Sequence, residues 1–217
     1  MSKVRVHNFS ISLDGYGTGE GQSLQTPFGH AGTRLVQWAF ATKTFRDMGL
    51  PGEGDGSTDL DDEFARSWKP NIGVEIMGRN KFGPQRGAWE DETWQGWWGD
   101  NPPFNTPVIV LTHHERAPIH LQGGNSFHFL NADPATALQH AKELAGTKDI
   151  RIGGGVQTIR QFLQADLIDY MHLVVVPIIL GRGENLWAGL EGIEQRFDVK
   201  STPSPVGVIH LEFNRKA

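Results

Sequence analysis

The chain opens on alternation. From Val4 to Leu13, the positions Val4, Val6, Asn8, Ser10 and Ser12 take turns with Arg5, His7, Phe9, Ile11 and Leu13, which predicts a strand partly covered on both faces. Asp14-Gly15 ends it as a turn. Residues 16–32 carry further glycines at 17, 19, 21, 29 and 32 together with Pro27, too long for an ordinary connection, and read as a functional loop. Leu35, Trp38, Thr42 and Phe45 then recur at helical spacing and predict one helix from about Thr33 to Arg46. Beyond a second glycine-rich stretch at 49–56, the acids Asp59, Asp61, Asp62 and Glu63 suit the electropositive first turn of a short helix ending near Trp68, with Asp62 and Glu63 read as solvated.

From there strands and helices alternate. Gly73–Met77, Val108–Leu111, Ser126–Leu130 and Ile150–Ile152 are short apolar strand candidates, and Met171–Leu180 is a longer one. Asp133-Pro134 pairs a capping side chain with a first-turn proline, and Gly146 is a stop, so a helix is predicted over Pro134–Ala145. A second helix, Val156–Ala165, carries Ile159, Phe162 and Leu163 on one face. Gln195–Ser201 and Val206–Phe213, around Pro203 and Pro205, read as an antiparallel hairpin. The order implies an α/β class: a mixed, mainly parallel sheet flanked by helices, with a C-terminal antiparallel hairpin.

Composition narrows the picture. With 217 residues, 38% of them hydrophobic, the chain can bury a sizeable core, and one domain over residues 1–217 is the expectation. A net charge of -5 and a pI near 6.0 give no general attraction to nucleic acid or to an acidic membrane surface. The absence of cysteine excludes disulfides, cysteine-ligated metals and a thiol nucleophile, and fits a reducing, cytoplasmic setting. No secretory signal is expected at the start, and no run of about 18 apolar residues predicts a membrane span.

The candidate chemistry sits at strand ends. In RIGGGVQTIRQFL, residues 151–163, three glycines stand between a strand signal and a helix signal. A strand running through glycines into a helix aims free N–H groups at one point, where the helix dipole also favours negative charge. The same glycines fit a tight turn or a close helix crossing. They do not fit the G-x-G-x-x-G fingerprint, because Gln157 and Thr158 stand where further glycine is needed. Two other strands end in polar groups: Gly78-Arg79-Asn80 after one, and Leu111-Thr112-His113-His114 after another. An arginine fork suits a phosphate, and together the three ends describe an extended ligand with several phosphates. Adjacent histidines point to different sides of a strand, so no metal site is expected.

At this point the chain resembles a family. Ser12–Gly15 (SLDG), Ile76–Phe82 (IMGRNKF), Val108–Thr112 (VIVLT), Ile152–Leu163 and Leu167–Gly183 (LIDYMHLVVVPIILGRG) are similar, in this order, to the dihydrofolate reductase superfamily. Within it the chain is similar to the C-terminal reductase domain of the bacterial bifunctional riboflavin-biosynthesis protein. The resemblance implies hydride transfer from NADPH to a small heterocyclic substrate, of which 5-amino-6-(5-phosphoribosylamino)uracil is one candidate. It implies that Arg79, Asn80 and Thr112, with Gly78 and Leu111 beside them, hold the adenosine 2′-phosphate. It further implies that Gly153, Gly154, Gly155, Val156 and Thr158 hold the pyrophosphate, and that the main chain at Ser10 meets the nicotinamide carboxamide. Asn8, Trp38 and Arg182 are the substrate-contact candidates, and Asp14 and Asp62 the proton-donor candidates. A homodimer is expected from the family and from the apolar C-terminal hairpin.

Two departures fall in the substrate half. The segment Thr33–Arg46 has no acid where dihydrofolate reductases carry one early in the first helix, which tells against folate. The paired-aspartate-proline segment of the riboflavin-pathway reductase is replaced by residues 80–104, which hold Trp89, Trp94, Trp97 and Trp98; these rings suit packing, substrate stacking or a dimer interface. Beside the reductase stand two other readings on the same fold, a non-catalytic ligand-binding or sequestering protein and a flavin-binding protein.

Overall fold

Strands form where the sequence alternates or runs apolar. In the computed structural model, which describes residues 2–216, they are β1 (Val4–Ser12), β2 (Tyr16–Thr18), β3 (Ile72–Gly78), β4 (Pro107–Leu111), β5 (Ile119–His120), β6 (Ser126–Leu130), β7 (Asp149–Gly154), β8 (Tyr170–Val176), β9 (Glu184–Asn185), β10 (Phe197–Pro203) and β11 (Ile209–Arg215). The helices are α1 (Gln37–Phe40), α2 (Lys43–Asp47), α3 (Leu60–Arg66), α4 (Arg79–Phe82), α5 (Pro134–Ala145) and α6 (Val156–Gln164). The class is the expected one, a mixed, mainly parallel sheet flanked by helices with an antiparallel hairpin at the C-terminus. None of the helices among the described residues is long and apolar enough to cross a membrane.

Where the elements differ from expectation, the causes are local. Thr33–Arg46 is not one helix but the end of a 3-10 turn (Gly29–Leu35) followed by α1 and α2. Val36 leaves the helical region at φ -119°, and Thr42 is extended at ψ 151°, where its hydroxyl accepts the Phe45 N–H at 3.4 Å and starts a new helix. The strand expected over Met171–Leu180 stops at Val176, before Pro177, which has no N–H for a ladder. Residues 16–32 are partly regular, since β2 pairs antiparallel with β9.

The chain divides into two compact units, one of the residues up to Arg5 with Asn71–Asp169, the other of Val6–Pro70 with Tyr170 onward. In the first, the strands run in the order β1, β7, β3, β4, β6, β5, parallel except for β5. Both α5 and α6 pack on β3 and β7. α5 begins where Asp133 accepts the Ala135 and Thr136 N–H groups, and it buries Ala137, Leu138, Ala141 and Ala145.

A carboxylate interrupts the apolar centre of this unit. Glu75 lies mid-strand in β3 with its side chain 1% exposed, paired with Lys81 at 3.0 Å and Arg151 at 2.7 Å. Lys81 Nζ also donates to the Gly153 carbonyl at 2.7 Å. A Cβ on Gly153 would run into the Glu75 carboxylate and lie 2.7 Å from Lys81 Nζ. The first glycine of the triplet is thus required by the interior of the protein.

In the second unit the order is β10, β11, β8, β1, with β10, β11 and β8 antiparallel. Its core gathers Ala31, Leu35, Trp38, Ala39, Ala65, Val174, Val176, Leu180 and Val208. A polar chain threads this core: Asp61 Oδ1 lies 2.7 Å from His210 Nε2, and His210 Nδ1 lies 3.0 Å from His172 Nε2. Phe64 stacks on both imidazoles, with centroids 4.7 and 4.1 Å away, and Trp38 meets His210 edge-on at 5.3 Å. Burial, with the neighbouring His210, pushes His172 down to about 3.

Replacing Glu75 by alanine is expected to leave two cations without their partner and to destabilise the protein by about 3 kcal/mol, the lower end for a buried pair because Lys81 keeps some solvent contact. Urea unfolding checks this, and a loss below about 1 kcal/mol would mean that the pair is no anchor. The second expectation concerns pH. An unfolded histidine binds a proton near 6.5 and folded His172 only near 3, so the unfolded state holds more protons between these values. The stabilisation is complete above about pH 6.5 and is lost as pH falls towards 3. His172→Gln should flatten the fall of the urea midpoint between pH 7 and 4; an unchanged slope would contradict it.

Candidate functional site

Register brings the predicted phosphate-binding residues together. Along β3, Met77 lies opposite Gly154 of β7 and Val110 of β4, and Gly78 opposite Leu111. Three parallel strands therefore end level, in Gly78-Arg79, Leu111-Thr112 and Gly153-Gly154-Gly155, and α4 and α6 start from two of those ends. Asn80 follows Arg79 on α4, and Val156 and Thr158 lie buried in the first turn of α6. Such carboxyl-end positions are where open α/β sheets hold ligands.

Each glycine here has its own cause. Gly154 takes φ 108°, a conformation L side chains rarely adopt, and the Gly154–Gly155 peptide is cis. A Cβ on Gly78 would meet the Thr158 hydroxyl, so this glycine lets the end of β3 and the first turn of α6 approach. Only open space lies around a Cβ built on Gly155, whose place as the N-terminal cap of α6 leaves the first amides of that helix aimed outward.

Arg79 and its surroundings supply positive charge. Its guanidinium sits 3.7 Å from the centre of the Trp89 ring, while Nη1 donates to the Gly87 carbonyl and reaches Thr112 Oγ1 at 3.5 Å. Its Nε and Nη2 are shielded from solvent and have no hydrogen-bond partner, and the same is true of Arg116 Nη1. Arg116 in turn lies 4.4 Å from the Trp89 ring and donates to the Trp94 carbonyl at 2.6 Å. Burial lowers the Arg79 pKa, and the like charges of Arg86 and Arg116 add to the effect. Buried, unpaired donors among clustered cations are what an anion relieves.

The tryptophan segment packs within this unit. Trp89 lies edge-on to Phe82 and Phe129, Trp94 to Trp97, and Trp98 to Phe104. Of the two histidines beyond β4, His113 faces Asn131 at 3.4 Å, and the His114 carbonyl accepts from Trp89 Nε1 at 2.6 Å. Among the described residues, no group of three metal-ligating side chains converges.

The remaining candidates lie in the second unit. Ser10 Oγ accepts the indole N–H of buried Trp38 at 2.8 Å, so both polar tips are engaged inside it. Asn8 stands at φ 55° inside β1, with Nδ2 donating to the Ala65 carbonyl at 2.8 Å. Arg182 forms an exposed pair with Glu20 at 3.2 Å. Asp14 accepts from Ser12 Oγ at 2.5 Å and from the amides of Leu180 and Gly181 at 3.1 and 2.6 Å. The Ser12 hydroxyl, against the opposing effect of burial and with those amides, holds its carboxyl at about 2. Ionised at neutral pH, it anchors a loop and has no proton to give.

The acidic turn at the start of α3 is solvated at Glu63, as expected, but not at Asp62. Asp61 and Asp62 are buried, 2% and 3% exposed, because Asp62 Oδ1 accepts the Thr44 N–H at 2.7 Å and Asp61 accepts from Ser204 and His210. The argument against folate from an acid-free Thr33–Arg46 helix also loses its footing, since that segment is several short turns and the next helix carries two buried carboxylates. Sequence reasoning missed three arrangements: Glu75 with its two cations, the Trp89 stack, and the Asp61–His210–His172 chain. Glu75 alone left a sign, an acid inside the apolar run GVEIM.

Known proteins share this architecture. A search of curated protein sequences found no match. Among solved structures, a protein described as a riboflavin biosynthesis protein from Shewanella sp. PV-4 superposes with a TM-score of 0.59 at 23% identity, covering 100% of both chains. Dihydrofolate reductase from Enterococcus faecalis, complexed with NADP(H) and RAB-propyl, gives 0.52 at 14% identity over 99% of this chain and 97% of its own. The diaminohydroxyphosphoribosylaminopyrimidine deaminase/5-amino-6-(5-phosphoribosylamino)uracil reductase of Thermotoga maritima gives 0.54 at 15% identity, over 99% of this chain and 57% of that longer one. These likenesses show a dihydrofolate reductase-like fold. The family model of the RibD C-terminal domain matches residues 3–209, so the chain belongs to the RibD C-terminal domain family.

Proposed function

We propose that the protein is an NADPH-dependent reductase of a small heterocycle, with 5-amino-6-(5-phosphoribosylamino)uracil as the first substrate to test. The observation that carries this reading is Arg79: a guanidinium held against Trp89, with two shielded nitrogens lacking partners, at a strand end level with the glycine turn. Family membership supports the reductase class. The one-domain reading of residues 1–217, a cytoplasmic location and a homodimer belong to the same proposal, the last supported by Val199, Val206 and Ile209 exposed along the C-terminal hairpin.

The residues present fit a dinucleotide phosphate. Unpartnered nitrogens of Arg79 and the hydroxyl of Thr112 suit a ribose 2′-phosphate, with Asn80 alongside. The open face of Gly155 and the first turn of α6 suit a diphosphate. When bound, the nicotinamide supplies the hydride. The protein's part is to bind and orient: Lys81 fixes the Gly153 carbonyl, Glu75 holds Lys81, and Trp89 keeps the Arg79 fork flat.

Calorimetric titration should show NADPH binding more tightly than NADH. Arg79→Ala should weaken NADPH by about 1.5–3 kcal/mol, roughly ten- to hundredfold, and NADH far less. Equal weakening would place Arg79 away from the 2′-phosphate. Loss of NADPH absorbance with the phosphoribosylaminouracil, or with dihydrofolate, would establish turnover. Tight binding of either compound without turnover would favour sequestration, and a yellow protein on purification would point to a flavin instead.

A further inference from the structure

Two cations share one indole. The Arg79 guanidinium lies 3.7 Å and the Arg116 guanidinium 4.4 Å from the centre of the Trp89 ring. A cation over an aromatic face is favoured, most of all when desolvated, but two like charges at one ring oppose each other. The pair is tolerable because the two arginines are held differently.

Arg116 is committed to its surroundings. It lies in the loop between β4 and β5, and its guanidinium is also 4.6 Å from the ring of Phe129 on β6 and 5.7 Å from that of Phe82 on α4, while Nη2 donates to the Trp94 carbonyl at 2.6 Å. Burial lowers its pKa, and the carboxylates of Glu92 and Asp91 work the other way. Arg79 has no such counterweight, because after burial the charges acting on it are those of Arg86 and Arg116. The tryptophan segment thus balances Arg116 with its own acids and leaves Arg79 as the cation that an anion would meet.

Trp89 depends on this neighbour. Between α4 and β4 the described chain forms no helix or strand, so no ladder fixes the ring. Its other supports are the edges of Phe82 and Phe129, with centroids 6.0 and 5.3 Å away, and the bond from Nε1 to the His114 carbonyl at 2.6 Å. Arg116 grips the segment at two points, the Trp89 face and the Trp94 carbonyl, and closes it like a clasp.

We propose that Arg116 is a positioning residue for the phosphate site: it pins Trp89 against Arg79, so that preference for a 2′-phosphorylated nucleotide is set through a side chain that does not hold the phosphate. The inference rests on the NADPH reading of Arg79 above. It differs from a packing role, because packing needs only a long side chain across three rings, whereas the clasp needs the charge and the donor.

The test is calorimetric binding of adenosine 2′-phosphate and adenosine, and of NADPH and NADH, to the full chain. Arg116→Met keeps the length of the side chain but neither charge nor donor. It should lower the preference for the phosphorylated member of each pair roughly tenfold, the worth of a desolvated cation over a ring, and leave adenosine and NADH binding as before. Arg116→Lys, which restores both charge and donor, should regain most of the preference. In a Trp89→Leu background the methionine substitution should cost nothing further, because the ring it acts through is gone. A further loss there would mean that Arg116 acts by its charge alone, and equal weakening of all four ligands would reduce it to packing; either overturns the inference. Should Arg116→Met not fold, Arg116→Gln, which lacks the charge, decides in its place with a loss in the same direction. A wild type that does not prefer the phosphorylated compounds would remove the reading of Arg79 and this inference with it. Preference kept in full by the Arg116 variants would remove this inference alone.

Discussion

Placing a carboxylate at the centre of β3 constrains everything around it in the first unit. A buried charge is tolerable only if it is paired and its remaining lone pairs are used. Glu75 meets that condition with two cations from different directions, Lys81 from α4 and Arg151 from β7. Lys81 is then committed to a position from which it also grips the Gly153 carbonyl. The glycine turn is fixed from beneath, so Gly154 and Gly155 can stay open without becoming loose. Rigidity of this kind lets main-chain amides serve as a binding surface, because the loop need not be ordered when a ligand arrives.

The second unit solves a related problem with less charge. Its buried chain has one carboxylate and two imidazoles, and burial keeps His172 neutral at physiological pH. The first unit gathers cations whose donors are left over; the second closes its polar groups on one another along a buried line.

The legible parts of the sequence were those governed by local rules. α5 could be read to the residue because Asp133, Pro134 and Gly146 each act within one turn. The strand-end residues were legible for a similar reason, since glycine and arginine after an apolar run are visible without knowing which strands are neighbours. The segment 33–46 misled because spacing of 3 and 4 residues survives a break at Thr42, whose capping role depends on ψ rather than on pattern. Asp62 misled because an acid at a helix start looks solvated until its partner, here the Thr44 N–H, is known, and nothing local marks its neighbour Asp61 as buried either. For Asp61 that partner lies 149 residues further along, at His210.

This last point explains why the second unit of the chain resists reading from sequence. Phosphate recognition uses few residue types in short, contiguous runs, because the ligand is uniform and the backbone itself does much of the binding. The buried chain of the second unit is instead assembled from Asp61, His210, His172 and Asn8, drawn from α3, β11, β8 and β1. None of these residues is adjacent in sequence, and each alone looks like ordinary core or surface. Their hydrogen bonds exist only once the fold has brought the four elements together.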